Sequence, residues 1–218
     1  MAELRVPPGR AGRLWLGERL ETARHAATLL DHKLHVLRTE QKRCALIADR
    51  TRTEWETAQR EAAEWLTRAA ILAGQRDIRL CTPERLAEVT INWNAVMGVR
   101  YPGDAVCTAP DKSAGARSPG TAALVEAATA HQRALQAAVA HAAATAACRI
   151  LETETVETRR RLRAIADRWT PRLESALRAL VERLDEAERA EAVQLRWAAA
   201  RGSVTFGLAG RGGEVAGP

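Results

Sequence analysis

Aromatic side chains are scarce in this chain: Phe, Trp and Tyr together make up 4% of the 218 residues, with a single Tyr and a single Phe. Ala, Arg, Leu and Glu dominate instead, a profile of long helices rather than of a sheet-based core. The four cysteines, Cys44, Cys81, Cys107 and Cys148, include no CxxC pair, which argues against a zinc site or a disulfide framework and points to a reducing cytoplasm. No secretory leader is expected, because Arg5, Arg10 and Arg13 interrupt the first apolar residues. The least charged stretch, the 15 residues between Arg133 and Arg149, contains Gln136 and His141. It falls short of a membrane span in length and hydrophobicity, so the chain reads as soluble. A phosphate-cradling GxxxxGK[ST] loop is also missing, which speaks against nucleotide binding.

What the chain has is a 3-4 spacing of small and apolar residues sustained from Leu16 to Leu72. The positions run Leu16, Leu20, Ala23, Ala27, Leu30, Leu34 and Leu37, then Gln41, Cys44, Ala48, Thr51 and Trp55, then Ala58, Ala62, Trp65, Ala69 and Leu72. Only Gln41 and Thr51 are polar. A repeat averaging 3.5 residues over roughly eight heptads keeps its apolar seam in line only if the helix supercoils left-handedly around a partner. At a rise of ~1.5 Å per residue the segment predicts a helix roughly 85 Å long, too long to wrap inside an ordinary globular domain.

Element boundaries follow from punctuation. The first helix is expected over 14–73, with Gly74 as its stop. Between 75 and 120 the period vanishes and Pro83, Pro102, Pro110 and Pro119 appear with Gly98, Gly103, Gly115 and Gly120. Within this middle segment Val89, Ile91 and Trp93 alternate with Thr90 and Asn92, and a second β-favouring run follows at Val96, Val99 and Tyr101. That predicts a short β-hairpin turning near Asn94, followed by a loop over Asp111 to Gly120. A second helix is expected over 121–201, with its seam at Cys148, Leu151, Thr155, Thr158, Leu162, Ile165 and Trp169. From Trp169 the steps to Leu173 and Leu177 are four residues each, an offset that unwinds a supercoil locally, and Pro171 lies inside the irregularity. The seam resumes at Leu180, Leu184 and Ala187. Residues 202–218 have no period and read as a disordered tail.

The expected fold class is therefore mainly α: one elongated domain over 1–218, a long two-helix antiparallel coiled-coil hairpin with a small middle segment holding the β-hairpin. If Ala73 lies opposite His141, Leu16 falls near Ala198 and Trp55 near Arg159, and residues 121–140 overhang the first helix. In that register Arg10, Arg13 and Arg19 meet Arg189, Arg196 and Arg201 at one tip. Such a cluster is either solvated surface or a basic tip for acidic groups of a partner. Arg13, Arg19, Arg189 and Arg196 are the candidate partner-binding residues. The structural seam is carried by Leu16, Leu20, Leu30, Leu34, Leu37, Trp55, Trp65, Pro171 and Leu184.

The run from Arg160 to Arg196 resembles the C-terminal signature of the D subunit of the V-type and A-type rotary ATPases. It carries Arg160, Arg161, Ala164 and Ile165, then Pro171, then Leu184, Asp185, Glu186, Glu188 and Arg189, then Leu195 and Arg196. The middle stretch INWNAVMGVRYP, Ile91 to Pro102, is similar to that family's Asn-Val-Met-Gly-Val-Lys-Val-Pro segment. Pro7-Pro8, Leu29-Leu30 and Lys33 match its early elements loosely. The resemblance implies a central-stalk rotor, without catalysis of its own. Such a rotor threads a hexamer of catalytic A and non-catalytic B subunits, binds the F subunit and a rotor base on the membrane ring, and couples ATP turnover to proton or sodium movement.

No catalytic, cofactor or metal site is expected. His32 and His35 are three apart but flank the seam residue Leu34 rather than occupying the seam. Glu152 and Glu154, like Asp185 and Glu186, point to different helix faces and form no acid/base pair. Trp55 and Trp65 read as core knobs. The competing reading is a free-standing scaffold or nucleic-acid-associated coiled coil. Against nucleic acid, Glu and Asp interleave with Arg along both helices and no basic stripe carries stacking aromatics.

Overall fold

The computed structural model describes residues 5–83, 85–110 and 120–209. The element order is α1 (Gly9–Cys81), β1 (Glu88–Val96), β2 (Val99–Thr108), α2 (Ala122–Arg163), a π-helical segment (Ala164–Trp169) and α3 (Thr170–Ala209). The chain is mainly α with one small antiparallel sheet, as its periodicity predicts. The expected loop falls on 111–119, outside the described residues, as does the part of the expected tail beyond Ala209. The fold divides into two compact units, Leu30–Arg161 and the residues flanking it on both sides.

In the flanking unit, the start of α1 pairs antiparallel with α3. Leu16, Leu20 and Ala23 share one buried cluster with Leu173 and Leu180, and Leu177 and Leu184 pack against it. Two ion pairs fix the direction: Arg10 to Glu188 at 2.9 Å and Arg24 to Glu174 at 2.6 Å. Between them both chains advance by two heptads in opposite senses. Gly12 is required by close approach, since a Cβ there would lie 2.1 Å from the Pro7 carbonyl oxygen and 3.1 Å from Leu180.

In the Leu30–Arg161 unit, α1 pairs with α2 through alanines that let the backbones approach. Ala62 meets Ala130 and Ala134 in one cluster, and Ala69 meets Ala123, Leu124 and Ala127 in another. Trp55 stacks on His141, ring centroids 5.5 Å apart and 12° from parallel. Thr51 sits beside this stack, 6% exposed, donating its hydroxyl proton to the Ile47 carbonyl at 2.9 Å. Its Oγ1 lies 3.4 Å from His141 Nδ1, and Thr145 Oγ1 lies 3.5 Å from His141 Nε2. An 18-residue window of the helix that begins at Ala122 has a mean hydropathy of 1.3, apolar enough by composition to cross a bilayer. Part of its alanine surface is buried against α1.

The register differs from the expected one. Leu16 packs with Leu180 rather than near Ala198, and Trp55 with His141 rather than near Arg159. At its far end α1 does not finish at Ala73. Gly74 leaves helical geometry (φ 79°, ψ 163°), but the helix resumes and runs to Cys81, and Ile78 and Cys81 pack against the cluster of Ala69, Ala123, Leu124 and Ala127. The residues expected to overhang are paired with α1 before Gly74, Ala62 with Ala130 and Ala134 and Ala69 with Ala123 and Ala127. The expected seam position Leu72 is 68% exposed because Ala73, which also satisfies a 3-4 step from Ala69, takes its place in the cluster.

Three further corrections concern the ends and turns. The hairpin turns at Met97–Gly98, not near Asn94: both residues have positive φ (48° and 80°), the demand of a two-residue type I′ turn, and Gly98 meets it without strain. Asn94 lies within the ladder opposite Tyr101. The offset around Pro171 is absorbed by the π-helical segment, where the Thr170 N–H reaches back five residues to the Ile165 carbonyl. One extra residue per turn carries Trp169 out of the seam to 40% exposure and brings Leu173 in at 0%. Finally, the helix continues through Ala209; 202–209 holds no proline, and its two glycines, Gly202 and Gly207, cost only ~1 kcal/mol each.

Candidate partner interface

Among the described residues no group of three or more His, Cys, Asp or Glu could hold a metal ion. His32 and His35 are both exposed. A shallow groove of about 490 Å³ on α3, lined by Arg172, Ser175, Ala176, Leu180 and Arg183, has no carboxylate or histidine among these residues for acid or base chemistry. What the molecule offers is surface of particular kinds at particular levels of its helices.

The structure separates the four candidate arginines. Arg10 pairs with Glu188, so Arg189 lies at the level of the first turn of α1, with Arg13 the next turn along. Both are exposed. Arg19 lies two to three turns further along, its guanidinium 5.1 Å from the Trp15 ring centroid, a cation–π contact. Arg196 is not brought into the group. It follows Glu188 by eight residues, roughly 12 Å of helix axis, whereas only Gly9 of α1 precedes Arg10. From Asp185 to Ala199 every α3 residue is exposed, including Val193 (50%), Leu195 (72%) and Trp197 (65%). Large apolar side chains on a helix without a facing helix mark an interaction surface.

The remaining seam residues fall as the periodicity requires. Leu16, Leu20, Leu34 and Leu37 are buried, while Leu30, Trp55, Trp65 and Leu184 are half-buried. Trp65 carries the Arg68 guanidinium 4.7 Å from its centroid. Pro171 is exposed and acts through the backbone rather than by packing.

A second apolar surface belongs to the hairpin, and sequence reasoning missed how it is mounted. A two-stranded sheet is marginal alone. This one is anchored by Val99 and Tyr101, which join Leu37, Cys44, Ala147 and Leu151 in one buried cluster. The Tyr101 hydroxyl donates to Glu40 Oε1 at 2.5 Å, and Arg43 donates to both oxygens of the same carboxylate at 2.6 to 3.1 Å. Hydrogen bonding from Arg43, the largest effect, holds the Glu40 carboxyl below its ordinary pKa; burial opposes it, and the weaker hydrogen bond from Tyr101 adds to the lowering. Burial first, and Glu40 second, raise that of Tyr101. The one available signal was that Glu40 and Arg43 are three apart beside the seam, a spacing that places both on one helix face. The outer strand β1 stays exposed on both sides, with Val89 at 46%, Ile91 at 43% and Trp93 at 51%, and Arg100 lies 5.7 Å from the Trp93 centroid. Gly103, the extra residue at the bulge between Asn92 and Trp93, admits the Asn94 side chain, which a Cβ would meet at 2.3 Å.

Further large apolar side chains are exposed at Ile71 (78%), Leu72 (68%), Leu86 (94%) and Val125 (47%). The family model for the ATP synthase D subunit matches this chain over residues 14–200. A comparison with curated proteins finds no match.

Proposed function

Because the chain belongs to the ATP synthase D subunit family of the V/A type, the central-stalk component of a rotary ATPase, we propose that it is the rotor shaft. In this reading it turns inside a hexamer of catalytic A and non-catalytic B subunits and binds the F subunit. A rotor base joins it to a membrane ring, and ATP synthesis or hydrolysis is thereby coupled to proton or sodium transport. The chain does no chemistry itself. It stays peripheral to the membrane on the cytoplasmic side, inserts no helix into the bilayer and binds no nucleic acid.

The observation that carries this reading is the family match across both helices and the hairpin. The physical chemistry supports it. A torque-bearing element needs helices joined by side-chain packing, and α1 packs on α3 in one unit and on α2 in the other. The exposed α3 surface from Asp185 onward, with Arg189 and Arg196, is the part assigned to the hexamer, together with Arg13 and Arg19 beside it. A shaft that meets three equivalent interfaces in turn is served by weak, redundant charge pairing, since one strong contact would be a sticking point. The apolar surfaces around Ile71, Leu72 and Leu86 are assigned to the rotor base and its neighbours.

Reconstitution with purified hexamer tests the assignment. The intact chain should bind, and truncation after Ala187 should abolish binding. Normal binding by that truncation would move the gripping site to the hairpin and overturn the assignment of α3.

A further inference from the structure

The facing pairs of the Leu30–Arg161 unit form a regular ladder. Ala69 shares a cluster with Ala123, Trp65 with Ala127, Ala62 with Ala130 and Ala58 with Ala134, and Thr51 contacts His141. In each pair a step along α1 is matched by an equal step back along α2. One heptad beyond Thr51 and His141 the same rule pairs Cys44 with Cys148, and both lie in the cluster that anchors the hairpin, Cys44 buried and Cys148 packed against it. The Thr51 Oγ1 to His141 Nδ1 separation of 3.4 Å shows how closely side chains approach at an equivalent level, and Ala147, 2% exposed, keeps the backbones near. Disulfides form where Cα atoms come within roughly 4.4 to 6.8 Å, a separation that small seam residues favour.

We propose that Cys44 and Cys148 are a redox-active pair whose oxidation to a disulfide staples α1 to α2 at the level where the hairpin docks. Cys148, the more exposed of the two, is the point of attack. Hydrogen peroxide oxidises its sulfur to the sulfenic acid, releasing one water. The Cys44 sulfur then attacks the Cys148 sulfur, the S–O bond breaks, and the oxygen leaves as a second water with the Cys44 proton. Two thiols are oxidised and one peroxide is reduced to two waters. A dithiol reductant reverses the step by exchange. Burial raises both thiols above their ordinary range. Glu40 adds to this at Cys44 while Arg43 opposes it, and Asp49 and Glu152 add to it at Cys148. The reaction is therefore slow near neutrality and faster as pH rises.

The test uses the full chain treated with hydrogen peroxide, followed by thiol counting, non-reducing peptide mapping and thermal unfolding. The C81S/C107S variant should lose both remaining thiols, yield one linked peptide joining Cys44 to Cys148, and unfold at a higher temperature by ~10 °C, since a loop of about 100 residues is closed. Dithiothreitol should return both thiols and the lower midpoint. C44A, which keeps a small apolar residue in the cluster, should leave Cys148 to proceed to the sulfinic acid with no linked peptide and no rise. Over-oxidation of Cys148 without a link in C81S/C107S, or wild-type links made chiefly through Cys81 or Cys107, would overturn the pairing.

Discussion

Tyr101 is the residue on which the hairpin's placement turns. Its hydroxyl donates to a carboxylate also gripped by Arg43, and a hydrogen bond to a charged group contributes ~1.5 to 3 kcal/mol net. Tyr101→Phe should therefore lower stability by about 1.5 kcal/mol at pH 7 in urea unfolding. The pH dependence has a definite sign. The folded-state pKa of Glu40 is lowered, so its contribution is complete above the ordinary carboxylate range and is lost as pH falls through the depressed folded value. The penalty of Tyr101→Phe should shrink over that acidic window, and a penalty independent of pH would mean that the hydroxyl matters only by packing. Trp55→Ala should cost ~3 kcal/mol through deletion of a large seam side chain, its stack on His141 included. At this scale the sequence was largely legible, because a 3-4 period states which side chains face inward: every seam position from Leu16 to Ala69 is buried or half-buried. The Glu40–Arg43–Tyr101 group was not legible. It joins residues 61 apart in sequence, and no local pattern encodes which strand residue reaches which helix.

The elements were legible in kind, while their ends depended on competition between neighbours. Gly74 stops α1 by its conformation, yet Ile78 and Cys81 find apolar partners on α2, so packing restarts a helix that punctuation ended. With φ 79° and ψ 163°, Gly74 occupies a region essentially closed to side chains. Gly74→Ala should cost about 1 to 3 kcal/mol and loosen Ile78 and Cys81 first, visible as faster amide exchange over 75–81. Unchanged exchange there would show that the break is not needed. The hairpin's existence follows from the alternation at Val89, Ile91 and Trp93. Its turn was misplaced because Asn94 and Met97–Gly98 both carry turn chemistry, and pairing of Asn94 with Tyr101 decides between them. Near Pro171 the offset was readable, but its resolution as a π-helical segment depends on where the missing N–H of proline leaves carbonyls to be satisfied.

Function belongs to the scale of the whole molecule, where no single residue was diagnostic and the order of motifs from Arg160 to Arg196 carried most of the information. Register was the least legible quantity. Apolar seams of this regularity can slide by a heptad with little change in burial, so the 3-4 period alone does not choose among registers. The placement of the arginines changes what the proposed hexamer contact should look like. Exposed charge pairs contribute ~0.2 to 1 kcal/mol each, so changing Arg13, Arg19, Arg189 or Arg196 singly to Ala should alter hexamer binding little. The fourfold variant should bind more weakly, and its binding should depend less on salt in a titration of ionic strength. An unchanged salt dependence would make these arginines ordinary solvated surface.

Rotation itself is the most direct measurement. With the hexamer immobilised and a bead attached to the hairpin of a reconstituted complex, addition of ATP should drive the bead in one direction continuously, stopping when ATP is removed. A stably bound chain whose bead only fluctuates, in a hexamer that is hydrolysing ATP, would contradict the assignment of this protein as the rotor.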